Sequence, residues 1–229
     1  MLTNKLSFLS ALLTLMVQYA TQASTLPVSS DRHYSNRFQV EQTLLLQDRF
    51  EQMQQNINAM QQRLGDKHPM LASLHEKLGM KLQESGRMKE ARQHYRMALK
   101  ISNSVYPSHH PQFIILNSRI GRSYFEEQDY SHANRYFSKA FAIMAQALGT
   151  AHEKTIHFLK RWSDIYMDEG LYEQAEPILT QTIALLEKQH PSINSAVAPF
   201  MKQLEQVYAH TQRTAQAHQI HKKIQLLKN

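Results

Sequence analysis

From Arg37 onward, apolar residues recur at helical spacing. Leu46, Phe50, Met53, Ile57, Met60 and Leu64 step alternately by four and three, which lays one apolar stripe along a helix over 37–65, ended by Gly65. Beyond it the pattern repeats. Ala91, Ala133 and Ala175 stand forty-two residues apart, as do Tyr95, Phe137 and Leu179, Gly79, Gly121 and Ser163, and His68, His110 and His152. Independent columns on one period define a repeat protein. The spacing predicts helix pairs over 70–84 and 89–102, 112–127 and 131–147, and 154–169 and 172–188. The small column residues let neighbouring helices approach closely, and Tyr95, Phe137 and Leu179 fill the space one turn on.

The connections agree with this reading. Gly86 and Gly170 stand at the turns inside the first and third pairs, where positive φ is useful, while Gln128 takes that place in the second. His68-Pro69, His110-Pro111 and His190-Pro191 precede the next helix, and Pro suits a first turn. A fourth, degenerate unit follows. Ala217 keeps the step from Ala175, but His190-Pro191 arrives early. The last helix of the third pair is therefore expected to be a turn shorter, and Pro199 to lie near the start of the next. Leu204, Val207, Tyr208, Ile220, Ile224 and Leu227 supply that unit's packing face.

The Leu78-Gly79, Ile120-Gly121 and Trp162-Ser163 pairs, the turn residues and the Ala91/Tyr95/Ala98 column resemble the tetratricopeptide repeat, in the 42-residue form of kinesin light chains. The resemblance runs from about Leu64 to Asn229. It implies an all-α, right-handed superhelical solenoid of antiparallel helix pairs over 66–229, with 37–65 as an N-terminal capping helix. The same stripe over Leu46 to Leu64 also fits a dimerising coiled coil, so a homodimer stays open. The resemblance implies a non-catalytic scaffold that holds a peptide segment or partner subunit on a concave face lined by the first helix of each pair. Glu76 and Met80 fall there from the first unit, and Ile115, Ser118, Arg122 and Phe125 from the second. His157, Lys160, Asp164 and Met167 follow from the third, and Lys202 and Gln206 from the fourth. Arg122 and Lys160 would grip a carboxylate; Phe125 and Ile115 fit inter-repeat core equally well. Where the kinesin form carries an Asn pair, this chain has Glu76-Lys77, Ser118-Arg119 and Lys160-Arg161.

Ahead of the repeats, Lys5, an apolar run over Leu6 to Val17 and Thr21-Gln22-Ala23 read as a secretory signal peptide over 1–23, cleaved before Ser24. Its apolar run of about 12 residues is short of the roughly 20 a membrane span needs. The polar stretch 24–36, with Pro27, reads as a flexible linker. The expected location is therefore periplasmic or secreted, with no integral membrane segment once the leader is removed. The absence of Cys excludes disulfides and thiol chemistry and suits an oxidising compartment. A formal charge of +7 favours a protein or peptide partner of acidic character. No aromatic-basic module points to nucleic acid. His152-Glu153-Lys154-Thr155-Ile156-His157 spaces its histidines by five where a zinc-protease helix needs four. No phosphate loop or nucleophile motif occurs, so no enzyme activity, cofactor or metal is expected, with a histidine-dependent metal protein as the outlying alternative.

Overall fold

The structure, a computed structural model, describes residues 30–150, 152–189 and 194–227. The proposed leader and residues 24–29 of the proposed linker lie outside them. Within them every regular element is a helix: α1 (Ser30–Leu64), α2 (Pro69–Glu84), α3 (Met88–Val105), α4 (Pro111–Glu126), α5 (Tyr130–Leu148), α6 (Glu153–Asp168), α7 (Tyr172–Gln189), α8 (Asn194–His210) and α9 (Thr214–Leu226). The chain divides into two compact units at Arg49 and Phe50. In the second, consecutive helices pack on one another, giving the expected all-α solenoid of helix pairs.

The forty-two-residue columns form the contacts that set this packing. Ala91, Ala133, Ala175, Tyr95 and Leu179 are fully buried, and Phe137 is nearly so. A Cβ on Gly79 would stand 2.6 Å from the Tyr95 ring, and one on Gly121 2.9 Å from Phe137. Glycine is thus what admits an aromatic ring at these crossings. The third unit carries Ser163 with the smaller Leu179 at the same places, both fully buried. One cluster joins Phe50 and Ile57 of α1 to the first repeat and α4; a second runs from α5 to α9, and Tyr124 packs against both. Phe50, Met53, Ile57 and Met60 thereby do what a capping helix must. Leu64, at the end of the stripe, stays exposed.

All four turns within pairs close alike. Arg87, Asp129, Leu171 and Arg213 donate their N–H to the carbonyls of Leu82, Tyr124, Tyr166 and Tyr208, and Gly86, Gln128, Gly170 and Gln212 donate to the carbonyl three residues back. That is the Schellman closure, which needs a left-handed residue. Gly86 and Gly170 supply it with φ of 76° and 68°, but Gln128 and Gln212 adopt φ of 62° and 60°. The second turn is therefore strained and not differently shaped. The histidine column caps helices: His68, His110 and His152 each accept through Nδ1 the backbone N–H two residues on, at 3.2 Å. This satisfies a donor that the start of a helix leaves open.

Three boundaries differ from expectation. α1 begins at Ser30, so residues 30–36 are helical rather than linker; Ser30-Asp31 suit a helix start, which composition alone did not weigh. α7 has 18 residues, the same as α3, so the third unit is not shortened. His190-Pro191 itself lies outside the described residues. With α8 starting at Asn194, Pro199 lies inside that helix rather than near its start; its missing N–H leaves the Ser195 carbonyl without the usual intrahelical donor.

Candidate functional site

Two adjoining hollows open along α2, α4, α6 and α8, the first helices of their pairs, and Ser118, Arg122 and Arg161 line both. The smaller, about 590 Å³, is walled by Met80, Gln83 and Glu84 of α2, the Tyr95 ring of α3, and Ile115 and Glu126 of α4. The larger, about 770 Å³, has an apolar lining that includes Met144, Ile156, Phe158, Trp162 and Ile165. Its charged groups are four basic side chains, Arg122, Lys154, Lys160 and Arg161, against one acid, Glu153. His157 stands beside them.

Pairing decides which charges are available to a ligand. Arg122 holds Glu126 at 3.0 Å and Lys160 holds Asp164 at 2.8 Å, both as turn-to-turn pairs on exposed helix surface. Such pairs contribute about 0.3–0.5 kcal/mol, so either is broken at little cost. Arg161 has no ion-pair partner among the described residues and is exposed. Arg119 differs, because its Nε donates at 2.9 Å to Glu76, whose side chain is only 16% exposed. In the wall, Tyr95 donates its hydroxyl to Gln83 Oε1 at 2.9 Å. Burial, with smaller contributions from its charged neighbours, pushes that phenol up to about 12, so it remains a donor.

Of the residues expected to face a partner, Met80, Ile115, Ser118, Arg122, His157 and Lys160 come together around the hollows. Glu76, Phe125, Asp164, Met167, Lys202 and Gln206 do not line them. Glu76 ties consecutive repeats, accepting from Arg119 and from Gln112 Nε2 at 2.6 Å. Asp164 does the same between α6 and α8, accepting from Gln203 Nε2 at 2.5 Å. Phe125 packs edge-on against Tyr166 at 5.1 Å and tilted against Tyr130 at 5.5 Å, the inter-repeat alternative that its spacing left open. Met167 joins the same core. Lys202 and Gln206 are exposed on α8.

Sequence reading missed Arg161, Lys154 and the apolar lining. Arg161 was in view, since Lys160-Arg161 occupies the place of the kinesin-type Asn pair. Among the described residues no three His, Asp or Glu side chains gather as a metal would require. His152 instead caps α6, and His221 pairs with Glu205 at 2.9 Å. No helix among the described residues is long and apolar enough to cross a membrane.

The tetratricopeptide repeat family pattern matches residues 76–112, which cover α2 from Glu76 through α3 to the start of α4. Two solved structures of a kinesin light chain from Podosopora anserina, described by its nearly identical TPR-like repeats, share the fold. Each is 19% identical and covers 87% of this chain and 93% of the other. Their TM-scores are 0.56 and 0.57. No curated protein matches the chain.

Proposed function

We propose that this chain is an exported, non-catalytic adaptor that holds an acidic peptide segment or the acidic tail of a partner subunit in the two hollows. Tetratricopeptide solenoids serve protein–protein interaction, which sets the class of function but no partner. The observation that carries the finer reading is the larger hollow, where four basic side chains and one acid surround an apolar lining. Arg161 is its anchor: already free of a described ion pair, it receives a carboxylate without first losing an interaction. The apolar lining supplies burial and the cations supply register and selectivity. Export rests on the composition of residues 1–23 alone.

Site-directed photocrosslinking in the native envelope tests this. A benzophenone residue at Ile115 or His157 should yield one discrete adduct with an acidic protein, and the same probe at exposed Lys100 should not. Equal labelling from all three positions would discredit the hollows as the binding face.

A second reading has its own observation. In the first unit Val40, Leu44, Leu45 and Leu46 are 41–59% exposed on α1, a cluster that self-association would cover. Light scattering on the Leu44→Lys/Leu46→Lys variant decides it. A dimer that becomes a monomer supports the reading, and a wild-type monomer ends it. Ile57 is unsuited to this experiment, because it is 1% exposed inside the first repeat's core.

A further inference from the structure

Between α2 and α3, at the centre of the first repeat, His75 and His94 meet through their Nδ1 atoms at 3.0 Å. The ring centroids are 5.2 Å apart, so the two nitrogens lie on the line between the rings and point at each other. His75 is buried, and His94 is partly so. One Nδ1–H donates to the other Nδ1, and that arrangement has room for a single proton. Two imidazoles on one tetrahedral metal would aim their nitrogens at a common point off the line between them, whereas these two aim at each other. The geometry is that of a shared proton.

The surroundings give little help to a charged pair. On α3, Glu90 acts on His94, but both its carboxylate oxygens are engaged by Arg87, at 2.7 and 2.6 Å. On α2, the adjacent Glu76 is turned to Arg119 and Gln112 of α4. At the end of α4, Glu126 is held by Gln83 and Arg122, and Glu127 by Arg92 of α3. From α1, Phe50, Met53, Ile57 and Met60 pack on this repeat, Arg87 lies over the Phe50 ring, and Glu51 is the acid next to Phe50 in the chain.

We propose that the His75–His94 pair is an acid-triggered release built into the first repeat: when both rings are protonated, two N–H groups and two positive charges face each other, α2 separates from α3, and the face covered by α1 is freed. The smaller hollow goes with it, since Met80, Gln83 and Tyr95 belong to these two helices. Acidification therefore unloads whatever rests there; the opening itself does not depend on the proposed partner. The direction follows from burial, which with His94 lowers His75 to about 4 from 6.5, and lowers His94 too against the pull of Glu90. An opened repeat binds more protons than a closed one in this range. The closed state's advantage is complete above pH 6.5 and is lost as pH falls toward about 4.

Hydrogen exchange of the full chain, resolved by peptide and corrected for intrinsic rates, tests this. Between pH 7.5 and 4.5, peptides from α2 and α3 should open roughly ten- to a hundredfold more. Peptides from α4 to α7 should respond less. In His75→Leu/His94→Leu the excess should vanish, since replacing both partners by apolar groups is tolerated. His94→Gln, which keeps a hydrogen-bonding neighbour for His75 without a second charge, should reduce it even if the double variant folds poorly. Equal acid response in all repeats, or an excess in His94→Gln as large as in the wild type, overturns the proposal.

Discussion

The approach of α3 to α2 at Gly79 makes a sharp prediction about Gly79→Ala. The new methyl would stand 2.6 Å from Tyr95 Cε1, 2.8 Å from Cδ1 and 3.1 Å from the Ala91 carbonyl oxygen. Something must move. Ala91 contributes backbone, and Tyr95 is fully buried with its hydroxyl engaged by Gln83, so neither yields cheaply. Overpacking of this kind costs about 1–3 kcal/mol, in the upper part of that range where neither neighbour yields, and replacing Gly by Ala inside a helix recovers about 1 kcal/mol. The net should be a loss of about 1–2 kcal/mol, or roughly 2–8 °C in Tm for a chain of this size. The third repeat indicates the remedy, because Ser163 and Leu179 occupy the equivalent places and both are fully buried. In a double-mutant cycle by urea denaturation, Tyr95→Leu should therefore offset the damage with a coupling of about 1 kcal/mol or more. Gly86→Ala is the control. Its φ of +76° makes any side chain strained, but nothing lies within 4 Å. It should cost about 1 kcal/mol with or without Tyr95→Leu. If Gly79→Ala matches or exceeds wild type, or if the cycle is additive, close packing is not what the glycine column is for.

Other consequences follow from the same contacts. Gln128→Gly and Gln212→Gly should each raise the denaturation midpoint, worth about 0.5–1 kcal/mol, by relieving positive φ at the second and fourth turns. Arg92 is buried between the first two repeats, donating to the Ser123 carbonyl and Glu127 and covering the Tyr124 ring. Arg92→Met should cost about 2–4 kcal/mol in chemical denaturation, and Arg92→Lys should not restore it, because one ammonium cannot reach all three partners. At alkaline pH, Tyr95 favours the folded state below its unfolded value of 10, and that contribution is lost as pH rises through about 12. Stability followed by circular dichroism above pH 10 should fall less steeply in Tyr95→Phe than in wild type.

Sequence was most informative where one physical cause acts on several positions at once. The glycine, alanine and ring columns are visible because each helix crossing repeats the same steric demand, and they placed α2 to α7 nearly to the residue. The histidine column was equally visible, but its role as a helix cap was not, since Nδ1 acceptance by histidine leaves no spacing signal beyond the column itself. Phe125 and Met167 show a different limit. Helical spacing states that a residue lies on a face, not whether another helix covers that face. Glu76 and Asp164 share the problem in polar form: each is held by the repeat next to it, a contact made some forty residues away. Arg161 became legible only when its lack of a described partner could be compared with the pairing of Arg119, Arg122 and Lys160.

The adaptor account is tested most directly by affinity for the protein captured through Ile115, measured by titration calorimetry against wild type and Arg122→Glu/Arg161→Glu. The account predicts that charge reversal weakens binding at least tenfold, that rising salt weakens the wild-type complex, and that both proteins melt at the same temperature. Undiminished affinity in a variant that is folded would contradict it.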